Sequence, residues 1–100
     1  MKKRTIYLLA ERGSTNYCKI GKDSNWPFRY HKAQSHNPRG LDVVGAWHFE
    51  CDLRQLGEME RLAQEGLPSL DSITVKEWFS LSPVEALQVL KDRFGFEPNG

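Results

Sequence analysis

The strongest constraint on the fold is a pair of short segments near the N-terminus that are rich in β-branched, aromatic and apolar residues. They cover residues 5–10 and 17–22, and their composition is typical of β-strands. The intervening residues 12–16, Arg-Gly-Ser-Thr-Asn, tolerate tight backbone geometry. The sequence therefore predicts an N-terminal β-hairpin. Because side chains alternate along a strand, Thr5, Tyr7 and Leu9 should share one face.

A helix and a third strand should follow the hairpin. Ser24 or Asn25 can cap the helix, which should contain Pro27 in its first turn and end at about residue 35. Residues 41–49 are rich in valine and aromatic side chains and predict the strand.

Helical spacing and end signals predict two more helices. The second should span about residues 53–65, and the last should span about 83–94, opened by a capping box at residues 82–85. A short extended piece within residues 73–81 separates them, and its Trp78 and Phe79 should pack beneath the third strand beside Trp47. The expected inner faces are Leu53, Leu56, Met59 and Ala63 for the second helix, and Val84, Leu87, Leu90 and Phe94 for the last.

This order of elements predicts an α+β fold. The three strands should form an antiparallel sheet flanked by helices, in the order β-β-α-β-α plus a C-terminal helix. Residues 1–100 should form one domain, because a chain of this length has little room for a second core. Its central part should span about residues 5–81.

Composition excludes several classes of protein. Hydrophobic residues make up 39% and charged residues 27%, which is ordinary for a globular chain. No apolar run approaches the roughly 20 residues that a membrane helix needs, and the apolar N-terminal segment is too short for a signal peptide. We therefore expect a cytoplasmic protein with no membrane partner. Cys18 and Cys51 should be reduced thiols, since they have neither disulfide-scaffold density nor zinc-site spacing.

The charges are unevenly distributed along the chain. Residues 1–40 carry nine Lys and Arg against two acids, a net charge of +7, whereas residues 41–100 carry five against eleven, a net charge of −6. A basic N-terminal half suits a phosphate-bearing partner, because cation contacts to phosphates dominate non-specific nucleic-acid affinity. A solvated basic surface without a partner would give the same pattern.

Several chemically capable side chains should meet on the hairpin. Tyr7 lies on one strand, and Tyr17 and Lys19 alternate along the other, so two phenols and an ammonium could cluster. Arg29 lies on the helix that follows directly. Hydrolysis of a phosphodiester bond requires an activated water and a cation opposite the developing negative charge.

These side chains suggest roles in such a reaction. Tyr7 could act as the base if Lys19 lowers the pKa of its phenol, while Arg29 stabilises the transition state. A glutamate of the second helix could hold magnesium. Glu60 fits the inner face of that helix better than Glu58, which should point outward.

The order of short motifs resembles the GIY-YIG nuclease superfamily, specifically its compact phage-associated branch, where the second motif reads KIG. The motifs are Thr5-Ile6-Tyr7, Lys19-Ile20-Gly21-Lys22, Arg29, a helical glutamate, and Glu77-Trp78-Phe79. The resemblance covers about residues 5–81. It implies a three-stranded antiparallel sheet and an endonuclease that hydrolyses DNA with Mg²⁺ or Mn²⁺.

The resemblance also implies roles for individual residues. Tyr7 matches the general base or its relay, and Arg29 matches the catalytic arginine. Gly21 matches the glycine that lets the backbone pass close to the site, and Glu60 matches the metal ligand. Lys19 departs from the family, because it stands where a second tyrosine is usual.

Further departures concern specificity and acid chemistry. Thr5 replaces the first glycine, and Gln64 stands where this branch often places histidine. We expect no separate DNA-binding module within these residues, so specificity would come from this domain or from a protein partner.

The alternative is a binding module with a GIY-YIG-like fold that has lost efficient catalysis. Such a module would bind nucleic acid or a protein as a phage or plasmid accessory protein. In either case the nucleic acid should lie along one basic face. Its expected contacts are Lys19, Lys22, Arg29, Lys32 and Arg39, with the backbone of Gly21.

Overall fold

The fold is given by a computed structural model that describes residues 3–70 and 77–98. The strands are β1 (Lys3–Glu11), β2 (Cys18–Asp23), β3 (Leu41–Glu50) and β4 (Trp78–Phe79), and the helices are α1 (Phe28–Ser35), α2 (Leu53–Gln64) and α3 (Pro83–Phe94). The predicted α+β class is confirmed. Within the described ranges, no helix has the length and apolar character needed to cross a bilayer.

Among the described residues the sheet has four strands, where the sequence predicted three. Their order is β3-β1-β2-β4, with every neighbouring pair antiparallel. The additional strand, β4, pairs Trp78 with Lys19 and Phe79 with Cys18 at the edge of the sheet. Two residues carry no detectable periodicity, so the sequence indicated an extended piece but not a strand. Positions 73–76 of that piece lie outside the described residues.

The sheet separates two layers of packing. Ile6 and Leu8 face a cluster that includes Trp47 and the apolar sides of α2 and α3. Tyr7 and Leu9 face the opposite way, toward α1. The predicted alternation along β1 is therefore confirmed, and it places Tyr7 on the side of the sheet that α1 covers.

The two aromatic residues of β4 point to opposite sides of the sheet. Phe79 is buried in the same cluster as Trp47, as the sequence predicted. Trp78 was expected there as well, and this was wrong: it packs on the Tyr7 side, against Tyr17 and Lys19. Adjacent residues of a strand must face opposite ways, so the two could not share one pocket.

The ends of α2 and α3 refine the expected inner faces. Leu56 and Ala63 of α2 are buried, as is Leu90 of α3. Leu53 and Val84 were expected to be buried but are 62% and 78% exposed. Each lies in the first turn of its helix, so helical periodicity alone overstated the buried face.

The start of α1 depends on a residue that the sequence did not single out. The buried carboxylate of Asp23 accepts hydrogen bonds from the backbone N–H of Asn25 at 2.8 Å and of Arg29 at 2.7 Å. A side-chain acceptor at a helix N-terminus satisfies a donor that has no partner within the helix. The predicted caps, Ser24 and Asn25, are thus replaced by Asp23, which connects the end of β2 directly to α1.

Candidate active site

The hairpin register places Tyr7 directly opposite Gly21. A Cβ atom on Gly21 would overlap the Tyr7 hydroxyl and lie 2.6 Å from Glu77 Oε1. Because these distances leave no room for a side chain, glycine is required here for space. The expectation that the backbone passes close to the site at Gly21 agrees with this geometry.

Glu77 holds both Tyr7 and Lys19. The Tyr7 hydroxyl donates to Glu77 Oε1 at 3.3 Å, and Lys19 Nζ lies 3.8 Å from the same oxygen. Burial raises the pKa of Tyr7 well above its usual value, the Glu77 charge raises it further, and Arg29 opposes the shift. The expected lowering of this pKa by Lys19 is therefore wrong, because burial and the Glu77 carboxylate raise it.

Tyr7, Lys19, Arg29 and Glu77 line a single cleft of about 380 Å³. The other lining residues come from α1 or lie beside its C-terminal end; they are Phe28, Lys32, Ala33 and His36. The cleft thus combines a buried phenol with three cationic side chains and one carboxylate. This is a set that can bind an anion and transfer a proton.

Aromatic packing positions Arg29. Trp26 stacks on Tyr7 with ring centroids 5.6 Å apart and contacts Tyr30 at 5.9 Å. Together with the Asp23 cap, these contacts fix α1 against the sheet. Arg29 itself is exposed, so its guanidinium is free to meet a ligand in the cleft.

Glu60 lies in an adjoining cleft of about 650 Å³, next to Glu77. Its side chain is only 16% exposed, and Oε1 lies 3.4 Å from Lys22 Nζ. Burial raises the pKa of Glu60, the neighbouring Glu77 carboxylate raises it further, and Lys22 opposes the shift. Glu58 is 54% exposed and pairs with Arg54, so the prediction that it points outward is confirmed.

The other oxygen of Glu60 bears on whether a metal could bind. Glu60 Oε2 is buried, and no described residue gives it a hydrogen bond. Such an atom fits a hard cation, which Glu60 could hold with Glu77 beside it. Among the residues described, no group of three or more His, Cys, Asp or Glu side chains is arranged to hold a metal. A Mg²⁺ ion does not require one, since it keeps several waters and uses one or two carboxylates with substrate phosphates.

The structure does not bring Tyr17 to the cleft. Its hydroxyl donates to Glu11, which also accepts from Asn37 Nδ2 at 2.9 Å, and its ring contacts Trp78. The hairpin register explains the separation, because Leu9 pairs with Lys19 and Tyr17 therefore falls beside the end of β1. The prediction that two phenols cluster at the site is thus wrong: of the two, only Tyr7 lines the cleft.

The predicted nucleic-acid contacts are spread over a wider surface. Lys32 lines the cleft, while Lys22 pairs with Glu60. Arg39 is exposed and close enough to Glu11 to lower the pKa of that carboxyl, after the larger effects of Tyr17 and Asn37. Of the five predicted cations, only Lys32 therefore joins Lys19 and Arg29 in lining the cleft.

Glu77 is the site residue that the sequence did not assign. The only signal was an acidic residue directly before two aromatic residues in an extended segment. Gln64, noted as a departure from the family, has a structural role: its amide donates to the Ile20 carbonyl at 2.8 Å and ties α2 to β2.

Comparisons of this chain with protein-family models, with curated proteins and with solved structures found no match.

Proposed function

We propose that this protein is a divalent-metal-dependent endonuclease of the GIY-YIG type that hydrolyses phosphodiester bonds in DNA. One observation carries the proposal: Tyr7, Lys19 and Arg29, which come from three different elements of the fold, line one cleft. Glu60, whose Oε2 accepts no hydrogen bond from any described residue, lies close to Glu77. The motifs that resemble the superfamily thus meet in one region of the molecule.

Arg29 is the residue that would stabilise the transition state. Attack on a phosphodiester concentrates negative charge on the phosphoryl oxygens, and a preorganised cation lowers the energy of that charge. Its helix is anchored by the Asp23 cap and by Trp26, so little reorganisation is needed when a phosphate enters. Lys32, one turn further along α1 in the same cleft, can contact an adjacent phosphate.

Tyr7 would act as a relay for a proton. Its raised pKa keeps the phenol protonated at neutral pH, so it cannot first ionise and then accept a proton. It can instead receive a proton from water while its own O–H proton passes to the Glu77 carboxylate, which already accepts its hydrogen bond. The water becomes the attacking hydroxide, and Glu77 ends the step protonated.

Glu60 would hold the Mg²⁺ or Mn²⁺ ion, with Glu77 close beside it. When bound, such an ion supplies Lewis-acid polarisation of the phosphate and neutralises charge. The residues of the chain contribute the rest: Arg29 binds the phosphate, and Tyr7 and Glu77 handle the proton.

The binding-module alternative has one observation in its favour. Glu77 engages both the phenol and the Lys19 ammonium, which leaves Tyr7 less able to act as a base. A protein that binds nucleic acid without cutting it would need only the cationic cleft. The partner would then be nucleic acid held by Lys19, Arg29 and Lys32.

A nicking assay separates the two functions. Supercoiled plasmid and circular single-stranded DNA would be incubated with wild-type protein and Mg²⁺, Mn²⁺ or EDTA, beside the variants Arg29→Ala and Tyr7→Phe. We expect metal-dependent cleavage by the wild type and a loss of more than about tenfold in rate for each variant, equivalent to about 1.4 kcal/mol of activation free energy.

The control is Arg54→Ala, which removes an exposed cation of α2 that is paired with Glu58. It should cleave like the wild type. If the wild type cuts neither DNA with either metal yet still binds it, the binding module becomes the function. Cleavage that survives Arg29→Ala undiminished would exclude the mechanism proposed here.

A further inference from the structure

Phe28 is an apolar side chain placed in solvent at the edge of a cationic cleft. It is 59% exposed, more than any other Phe, Tyr or Trp in the described parts of the chain. It lines the same cleft as Tyr7 and Arg29. Its exposure does not come from a loosely held helix, because Asp23 caps α1 and Trp26 anchors it to the sheet.

The surroundings of Phe28 favour a polyanion with aromatic faces. Lys32 lies four residues along α1, on the same side of the helix, and both residues line the cleft. Arg29 and Lys19 add positive charge, and Glu77 is the one carboxylate among the lining residues. An aromatic ring beside cations that follow a phosphate backbone is the combination by which proteins bind single-stranded nucleic acid.

We propose that Phe28 is a stacking platform for the base of an unpaired nucleotide whose phosphates contact Arg29 and Lys32. The substrate class is therefore single-stranded or locally unpaired nucleic acid. This inference rests on the proposed function only in taking nucleic acid as the ligand. In a duplex, neighbouring base pairs cover the faces of each base, so a ring such as Phe28 can stack only on an unstacked or terminal one.

The size of the cleft agrees with this occupant. Its volume of about 380 Å³ falls within the range of about 300–1,000 Å³ for clefts that hold small ligands. It can receive one nucleotide unit, with the base against Phe28 and the phosphate toward Arg29. Stacking is tolerant of base identity, so the site should select for strandedness rather than for sequence.

The test measures binding without catalysis. Anisotropy titrations in EDTA at one salt concentration would use a labelled oligothymidylate of about 12 nucleotides, within the usual site sizes, and a blunt duplex of two annealed strands of matched length, which has no unpaired loop. The proteins are wild type, Phe28→Ala, Phe28→Tyr and Val84→Ala. Val84 is an exposed apolar residue on α3, away from the residues that line the cleft, so its loss controls for general surface effects.

The wild type should bind the single strand more tightly than the duplex. Phe28→Ala should weaken single-strand binding about 5- to 150-fold, since stacking contributes about 1–3 kcal/mol per base, and should change duplex binding less than about twofold. Phe28→Tyr and Val84→Ala should bind like the wild type. Because Phe28 is exposed, its removal should leave the unfolding midpoint unchanged.

Three results would overturn the inference: no single-strand preference in the wild type, no loss in Phe28→Ala, or an equal loss on both oligonucleotides. The nuclease proposal fails separately. A protein that cuts nothing but shows the Phe28-dependent preference would keep this site and lose the catalytic function. A protein that cleaves DNA but shows no such preference would keep the catalytic function and lose the Phe28 site.

Discussion

The Tyr7 hydroxyl donates to Glu77 Oε1 at 3.3 Å, and Lys19 Nζ lies 3.8 Å from the same oxygen. This carboxylate therefore adds to the effect of burial, which keeps the phenol protonated, and it partly neutralises the nearest cation. The same oxygen and the phenol occupy the space that a side chain on residue 21 would need. Strands β1 and β2 thus meet Glu77, the residue before β4, at one point.

The first prediction concerns pH and stability. Burial and Glu77 raise the pKa of Tyr7 in the folded protein, so its contribution to stability is complete below the unfolded pKa of about 10 and is lost as pH rises through the folded pKa. Relative to Tyr7→Phe, the free energy of unfolding of the wild type should therefore fall above about pH 10. Urea unfolding from neutral to alkaline pH checks this. If the free energies of unfolding of the two proteins change in parallel with pH, the raised pKa of Tyr7 is contradicted.

A pair of glycine substitutions tests the close approach at β2. Gly21→Ala should destabilise the protein by about 1–3 kcal/mol, the usual cost of forcing an extra carbon into a packed site, because its Cβ meets Tyr7 and Glu77. Gly57→Ala is the matched control: residue 57 lies inside α2, and among the described residues only Lys22 Nζ, at 3.9 Å, would be near its Cβ. It should stabilise the protein by about 0.5–1 kcal/mol. Chemical unfolding should show that the two variants change the free energy of unfolding in opposite directions. Equal changes would mean that the space at Gly21 is not limiting.

The two aromatic residues of β4 should differ in their contribution to stability. Phe79 is 3% exposed in the main core, so Phe79→Ala should cost about 3–5 kcal/mol. Trp78 is only partly buried and packs on Tyr17 and Lys19, so Trp78→Ala should cost at least about 1 kcal/mol less. Chemical unfolding measures the difference, from the denaturant midpoints of variants whose free energy of unfolding has the same slope with denaturant concentration. A larger loss for Trp78 would contradict the packing described here.

Local signals predicted the framework of the fold but not the composition of the site. The hairpin, α1 and the bounds of α2 and α3 follow from periodicity and from residues such as Pro83 and Gly95, whose preferences act over a few positions. The cleft depends on contacts across the chain. Glu77 reaches Tyr7 from 70 positions away, and no spacing rule connects such residues. Tyr17 was misplaced for the same reason: its partner, Glu11, is determined by the strand register.

The final prediction distinguishes the two glutamates of α2. Glu60→Gln should reduce metal-dependent cleavage by more than about tenfold, because a neutral amide holds Mg²⁺ poorly and Glu60 is the one with a buried oxygen that no described residue satisfies. Glu58→Gln should cleave at close to the wild-type rate, since Glu58 is exposed and pairs only with Arg54 among the described residues. Nicking rates over a range of Mg²⁺ and Mn²⁺ concentrations, with unfolding midpoints measured on the same samples, separate lost metal binding from lost folding. If Glu58→Gln inactivates the enzyme and Glu60→Gln does not, the assignment of the metal ligand on α2 is wrong.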